Sequence, residues 1–346
     1  MAEIIRYVDP DCGGGTHNGL SWATAYLSLY AWDQAEPNNL VSAGNWHHVY
    51  VRSSAGTADT TYVYISSDWT TDSTHYILIE AVAGNEAVKT SWDASRYRLE
   101  VTDHFPLDIN VGYVYVKGLQ IRAIYSSGAY NGIILIEGGT GETRLYNCRM
   151  EVGGVASGYF AGIKGYGGTG NTIKVWNCII DGKGVGLQGV YAYTSNVNIY
   201  NSVVCGWAGY ALEYRDAILT VRNCAVFDNA DDVYDNSGTG SLSLDYCALD
   251  DADTQTHPVS ETGGGARWTG DFVDGANGNF TLKSTSGLWH AGLANPGSGL
   301  YSTDIEGETY NAAAYSVGVD EYIVSGLSIP VVTMFYRRRR DGDLLY

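Results

Sequence analysis

Glu213, Arg215, Asp231 and Asp232 lie within one short stretch of the chain and could cluster as a site of acid–base chemistry. Hydrolysis of a glycosidic bond needs two carboxyl groups at a set separation. Glu213, Arg215 and Asp232 are therefore the candidate catalytic set. The same residues read equally as a solvated polar face, because no catalytic motif can be laid on their positions.

Two acidic runs, 228–232 and 250–253, could hold calcium, but neither has the ligand spacing of an EF-hand loop or a nonapeptide repeat. No metal or other cofactor is assigned. The six cysteines include no CxxC pair, which argues against zinc. Aromatic residues give a stronger signal: the chain has 28 Tyr and 9 Trp. Tyr146, Trp176 and Tyr200 recur at one position of a repeat, where they can contact a ligand or partner, or simply stack on one another. The last candidate is a tail, residues 326–346, in which an apolar run ending at Phe335 and Tyr336 precedes Arg337, Arg338, Arg339 and Arg340. Such a run can add to a sheet edge, and the arginines suit an acidic protein surface.

A repeat must position these residues. It reads LYNCRM at 145–150, VWNCII at 175–180, IYNSVV at 199–204, VRNCAV at 221–226 and LDYCAL at 244–249, preceded by VKGLQI at 116–121. The third residues, Gly118, Asn147, Asn177, Asn201, Asn223 and Tyr246, are spaced by 29, 30, 24, 22 and 23 residues, which is the period of a solenoid. The first, fourth and last positions are apolar or small and face inward; the second is mixed and faces out. The Asn-Cys step breaks the alternation and marks a corner. One such strand per coil of about 24 residues predicts an all-β fold, a right-handed parallel β-helix with rungs about 4.8 Å apart. Cys148, Cys178, Ser202, Cys224 and Cys247 should then stack inside, with disulfides between neighbouring rungs left open.

A second strand in each coil places Ile134, Lys164, Gln188, Glu213 and Tyr234 in one outward column, and Ile136, Tyr166, Val190, Arg215 and Asn236 two residues further on. Ser21 is the expected N-cap of a helix reaching about Glu36, which covers one end of the core. The expected organisation is a strand and capping helix over 1–46, the β-helix over 47–250, a last irregular rung and cap over 251–325, and the tail over 326–346. Residues 279–284 are the expected last rung. The net charge of −18 argues against nucleic acid as a partner. No signal peptide is expected at the start, and no stretch is long enough to span a membrane.

The segments YVDPD at 7–11 and GLSWATA at 19–25, the Asn-Cys rungs, and GNFTL at 278–282, STDIEG at 302–307 and GVDEY at 318–322 together resemble the pectate-lyase-like superfamily of right-handed β-helix proteins. Environmental and phage-associated members are the most similar, and the match covers roughly residues 5–325. The resemblance implies a fold rather than one activity, since that superfamily holds lyases that use calcium and a basic residue, hydrolases, tailspikes and adhesins. The leading expectation is a non-enzymatic phage or phage-like virion surface or tail fibre protein contacting glycans or other virion subunits. A polysaccharide lyase or glycoside hydrolase is one alternative; a bacterial surface adhesin is another. Homo-oligomers, other virion subunits and surface polysaccharide are the expected partners, and a virion or extracellular surface the expected location. If the tail is an assembly element, deleting residues 326–346 should leave β-sheet circular dichroism and thermal unfolding nearly unchanged while abolishing self-association in sedimentation velocity. Loss of the folded signal would instead make the tail part of the core.

Overall fold

The computed structural model describes residues 1–126, 131–154, 160–168, 170–236, 238–251, 255–260 and 268–322. The tail, with Phe335, Tyr336 and Arg337 to Arg340, lies outside the described residues, as does Asp253. Within them the chain winds as a parallel β-helix. Each regular coil gives one strand to each of three parallel sheets, of nine, seven and seven strands. In the coil that carries the LYNCRM repeat these are Gly141–Tyr146, Arg149–Gly154 and Phe160–Gly165. No helix among the described residues is long and apolar enough to cross a membrane.

The inward ladder of the first sheet runs Val49, Ile79, Val116, Leu145, Val175, Ile199, Val221 and Leu244 in direct register. All are buried, and each contributes about 1.5–3 kcal/mol relative to an exposed side chain. The corner between the first and second sheets has a positive φ in every regular coil: 74° at Gly118, 53° at Asn147, 52° at Asn177, 40° at Asn201, 55° at Asn223 and 53° at Tyr246. Asn tolerates this left-handed conformation better than most residues, which explains why it recurs there. The residue after each corner turns inward, so Leu119, Cys148, Cys178, Ser202, Cys224 and Cys247 stack in the core with no exposure. All six cysteines of the chain are free thiols, and neighbouring rungs are not bridged.

Both ends differ from the sequence expectation. The strand Ala2–Val8 already pairs in parallel with Asn45–Val51 along its whole length, so the first sheet begins well before residue 47. The expected helix from Ser21 is shorter: a 3-10 turn, Trp22–Thr24, is followed by extended chain and then the helix Leu29–Ala35. Tyr26 exchanges backbone hydrogen bonds with Tyr7 and Asp9, and this edge pairing overrides local helix preference. The cap is Ser28, whose Oγ accepts from the Ala31 amide at 3.0 Å, while Ser21 Oγ meets Thr24 Oγ1 instead. Leu29, Trp32, Leu40 and Trp69 close the apolar end of the solenoid.

At the other terminus, residues 279–284 add no rung. Asn279–Leu282 pairs antiparallel with Phe272–Asp274, and the chain from Trp268 onward runs as a strap over the outer face of the second sheet. That face carries Ile179, Val203, Cys205, Ala225, Phe227 and Ala248, which need a cover; Phe272, Phe280, Leu282, Leu288, Ile305, Val317 and Val319 supply it. The corner asparagines hold the strap edge, donating from Nδ2 to the carbonyls of Thr303 (Asn177, 2.7 Å), Ser316 (Asn201, 2.6 Å) and Leu293 (Asn223, 2.8 Å). Asn201 Oδ1 also accepts from the Tyr301 hydroxyl at 2.6 Å. Replacing Asn201 by Gly keeps the corner and loses these bonds and the one Oδ1 accepts from Asn223 Nδ2, for an expected cost of about 1–3 kcal/mol in chemical denaturation. Asn201→Ala should be less stable again by about 1 kcal/mol. Equal losses for the two variants would show that the backbone angle is not the constraint.

Candidate functional site

The outer face of the third sheet carries a cleft of about 320 Å³, near the small end of ligand pockets, lined by Lys164, Tyr166, Gln188, Tyr191, Tyr193, Glu213, Arg215 and Asn236. Strand register explains the lining. Lys164 pairs with Tyr191, Tyr191 with Glu213, and Glu213 with Tyr234. Three of the five expected outward residues thus stand in one column, whereas Leu135 replaces Ile134 and Tyr191 replaces Gln188. Ile134 is fully buried and pairs with Ile163. The slip at Gln188 arises because Gly189, not Gly186, stands opposite Gly162, so counting from Gly186 falls three residues short. Val190 and Ile136 likewise belong to the core, and Tyr193 takes the outward place beside Tyr166 and Arg215. The Tyr191-Ala-Tyr193 alternation was the available signal for both missed tyrosines.

Glu213 is only 2 % exposed. Its Oε1 accepts from Asn236 Nδ2 at 2.6 Å and its Oε2 from Gln188 Nε2. Burial raises its pKa; the two amide bonds and Lys164 oppose that without cancelling it. Burial works the other way on Lys164 and lowers the ammonium pKa, against the pull of Glu137 and Glu213. Tyr191 is pushed up to about 12, by burial first and then by Glu213. Tyr166 and Tyr193 stack face to face at 4.9 Å, with Lys164 Nζ 5.4 Å from the Tyr166 centroid and Arg215 Cζ 5.2 Å from that of Tyr193. The ring faces are thus taken by each other and by the two cations, and the edges and hydroxyls remain for a ligand.

Asp232 does not share this cleft. It stands at the corner where its strand begins, 1 % exposed, and its carboxylate accepts from the amides of Asp250 (2.8 Å) and Asp251 (3.2 Å) and from Asn229 Nδ2 (2.9 Å). Asp231 pairs with Tyr210 in the same strand, off the Glu213 column. Asp250 in turn accepts from the Asp228 amide and from Trp268 Nε1. The two acidic runs therefore cross-link the last coils. Glu213 is the only carboxylate among the described residues lining the cleft, so neither a two-carboxylate hydrolytic pair nor a calcium ligand set is assembled there.

The aromatic ladder is present, but the chain covers part of it itself. Tyr146 and Trp176 stack at 4.4 Å and 11°, in register with Tyr200. Trp176 is only 4 % exposed, and Tyr301 of the strap lies parallel to it at 6.0 Å. A larger groove of about 630 Å³ between the strap and residues 84–96 holds Arg96 and Lys117, but both are already bonded, to Asp93 and Glu80. Beside it Asp304, Glu308 and Asp320 converge closely enough to hold a metal. Lys89 already sits among them, its Nζ 2.9 Å from Glu308, 3.2 Å from Glu306 and 3.6 Å from Asp304, and in contact with Asp320. Burial disfavours that ammonium, yet Asp320 and Glu308 keep it protonated, so the cluster does not fit a resident cation.

A search of solved structures returns the pectate lyase Pel9A, at 16 % sequence identity and a TM-score of 0.43, with 92 % of this chain and 96 % of that chain covered. No family model and no curated protein matches the chain. The parallel sheets themselves establish the fold.

Burial raises the Asp232 carboxyl to about 7, with Asp250 and Asp251 adding to the effect and its hydrogen bonds opposing it. A carboxyl raised in the folded state stabilises fully below its unfolded value near 4, and that stability is lost as pH rises through about 7. The protein should therefore be more stable in denaturant at pH 5 than at pH 8. In Asp232→Asn that difference should shrink by on the order of 1 kcal/mol or more. An identical difference in the variant would remove Asp232 from the account.

Proposed function

We propose that this chain is a glycan-contacting β-helix protein without catalytic activity, and that the contact is made in the third-sheet cleft. The single observation behind this reading is the pairing of Lys164 and Arg215 around an amide-held carboxyl, on a chain whose net charge is −18. A local surplus of positive charge in an acidic protein selects an acidic saccharide. Tyrosine hydroxyls and side-chain amides then meet its hydroxyl groups edge-on. The proposed setting is the surface or tail fibre of a phage or phage-like particle, which is supported by the resemblance to phage-associated chains.

A second reading, a polysaccharide lyase, draws on one further observation. Glu213 is shifted up and Lys164 down within the same cleft, the pattern of an acid–base pair. The two readings separate in one experiment. Acidic polysaccharides are incubated with the protein, with and without calcium, while binding is followed by calorimetry and cleavage by unsaturated or reducing ends. Binding without product is expected, weakened at least about tenfold by Arg215→Ala, because a hydrogen bond to a charged group is worth roughly 1.5–3 kcal/mol. Product that disappears in Lys164→Met would put the lyase reading first.

A further inference from the structure

Glu213 is a buried carboxyl with no cation bonded to it. Both oxygens accept from neutral amides, and among the described residues no ammonium or guanidinium lies within ion-pairing distance of it. The charged and titratable groups around it come from every neighbouring strand. Lys164 faces it from two coils earlier, itself near Glu137; Tyr191 and Tyr193 face it from one coil earlier. Tyr234 follows in the next coil, and Arg215, just past the end of Glu213's own strand, leans towards Asp216 at 3.5 Å. The charge of an ionised Glu213 is thus offset only at a distance, by Lys164. Lys164 has no carboxylate within ion-pairing distance among the described residues and contacts the Tyr166 ring instead.

An anionic group entering this cleft pairs with Lys164 and Arg215. It withdraws the field of Lys164 from Glu213 and adds its own negative charge a few ångströms away, in surroundings where charges are poorly screened. Two like charges then compete for Lys164, and the cheaper outcome is to neutralise the carboxyl. A protonated Glu213 keeps one oxygen as an acceptor and gains an O–H donor that can reach an amide oxygen or the ligand. Building on the glycan-contact reading above, we propose that the cleft takes up one proton, on Glu213, when it binds an acidic saccharide, so that pH sets the affinity. Equilibrium linkage makes the coupling reciprocal: the ligand raises the carboxyl's proton affinity, and the proton raises the ligand's.

The test is calorimetric titration with a short dextran sulfate, whose ester groups stay ionised across the range used. Titrations in two buffers of different ionisation enthalpy count the protons bound. The wild-type protein should take up close to one proton per ligand near neutral pH, with affinity falling up to about tenfold per pH unit across that same range. Glu213→Gln should take up none and show a flat pH profile. Binding by the wild type without proton uptake overturns the proposal, and so does the same uptake by Glu213→Gln. If Glu213→Gln does not fold, Lys164→Met replaces it: uptake that persists in Lys164→Met supports the proposal, and uptake that disappears there overturns it. No binding at any pH would instead remove the glycan-contact reading, and this proposal with it.

Discussion

One backbone constraint recurs at every regular coil: a left-handed residue between the first and second sheets. Parallel strands must turn sharply to keep each coil the same size, and a positive φ makes that turn in one residue. Asn accepts the conformation and brings a side-chain amide with it. The amides then do two things at once. They bond to one another along the axis, as Asn177 does to Asn147 and Asn223 to Asn201, and they bind the carbonyls of the strap. The local conformational requirement thereby becomes the docking edge for a segment more than a hundred residues away.

The repeat was legible because inward positions and corners are the same in every coil. Burial and a positive φ impose residue types that recur, so the cysteine ladder and the first-sheet register could be read directly. The third sheet was harder. Its coils differ in length, and two glycines, Gly186 and Gly189, could each mark the strand; Gly189 is the one in register, so Gln188 stood in for Tyr191 and Val190 for Tyr193. Glu213, Arg215, Lys164, Tyr166 and Asn236 were still found and line the cleft. The strap was not legible at all. Its apolar residues follow no period, since they answer to a surface already built by the second sheet.

Charge is distributed with the same logic. The carboxylates that accept backbone amides, such as Asp232 and Asp304, lie buried at corners and loops, where they close turns that a solenoid cannot close by strand pairing. Burial raises both to about 7. Other carboxylates face cations, in the loop cluster around Lys89 and along the outer columns, as in Arg122 to Glu151 and Lys174 to Glu142. Glu213 belongs to neither class, being buried on an outer column with neutral partners, and this sets the third-sheet cleft apart from the rest of the surface.

The reach of the strap alters how the whole molecule must come apart. A plain solenoid touches only its neighbouring coils, so its ends fray independently and its stability adds coil by coil. Here Lys89, in a loop of an early coil, is clasped by Asp320, 231 positions later in the chain. Arg149 donates to the Gly278 carbonyl across 129 positions, and Asn223 to Leu293 across 70. Each contact ties coils that otherwise communicate only through their intermediates. A linear array of weakly coupled units is thereby closed into a loop of mutual dependence, whose opening is collective and whose assembly waits for the last fifth of the polypeptide.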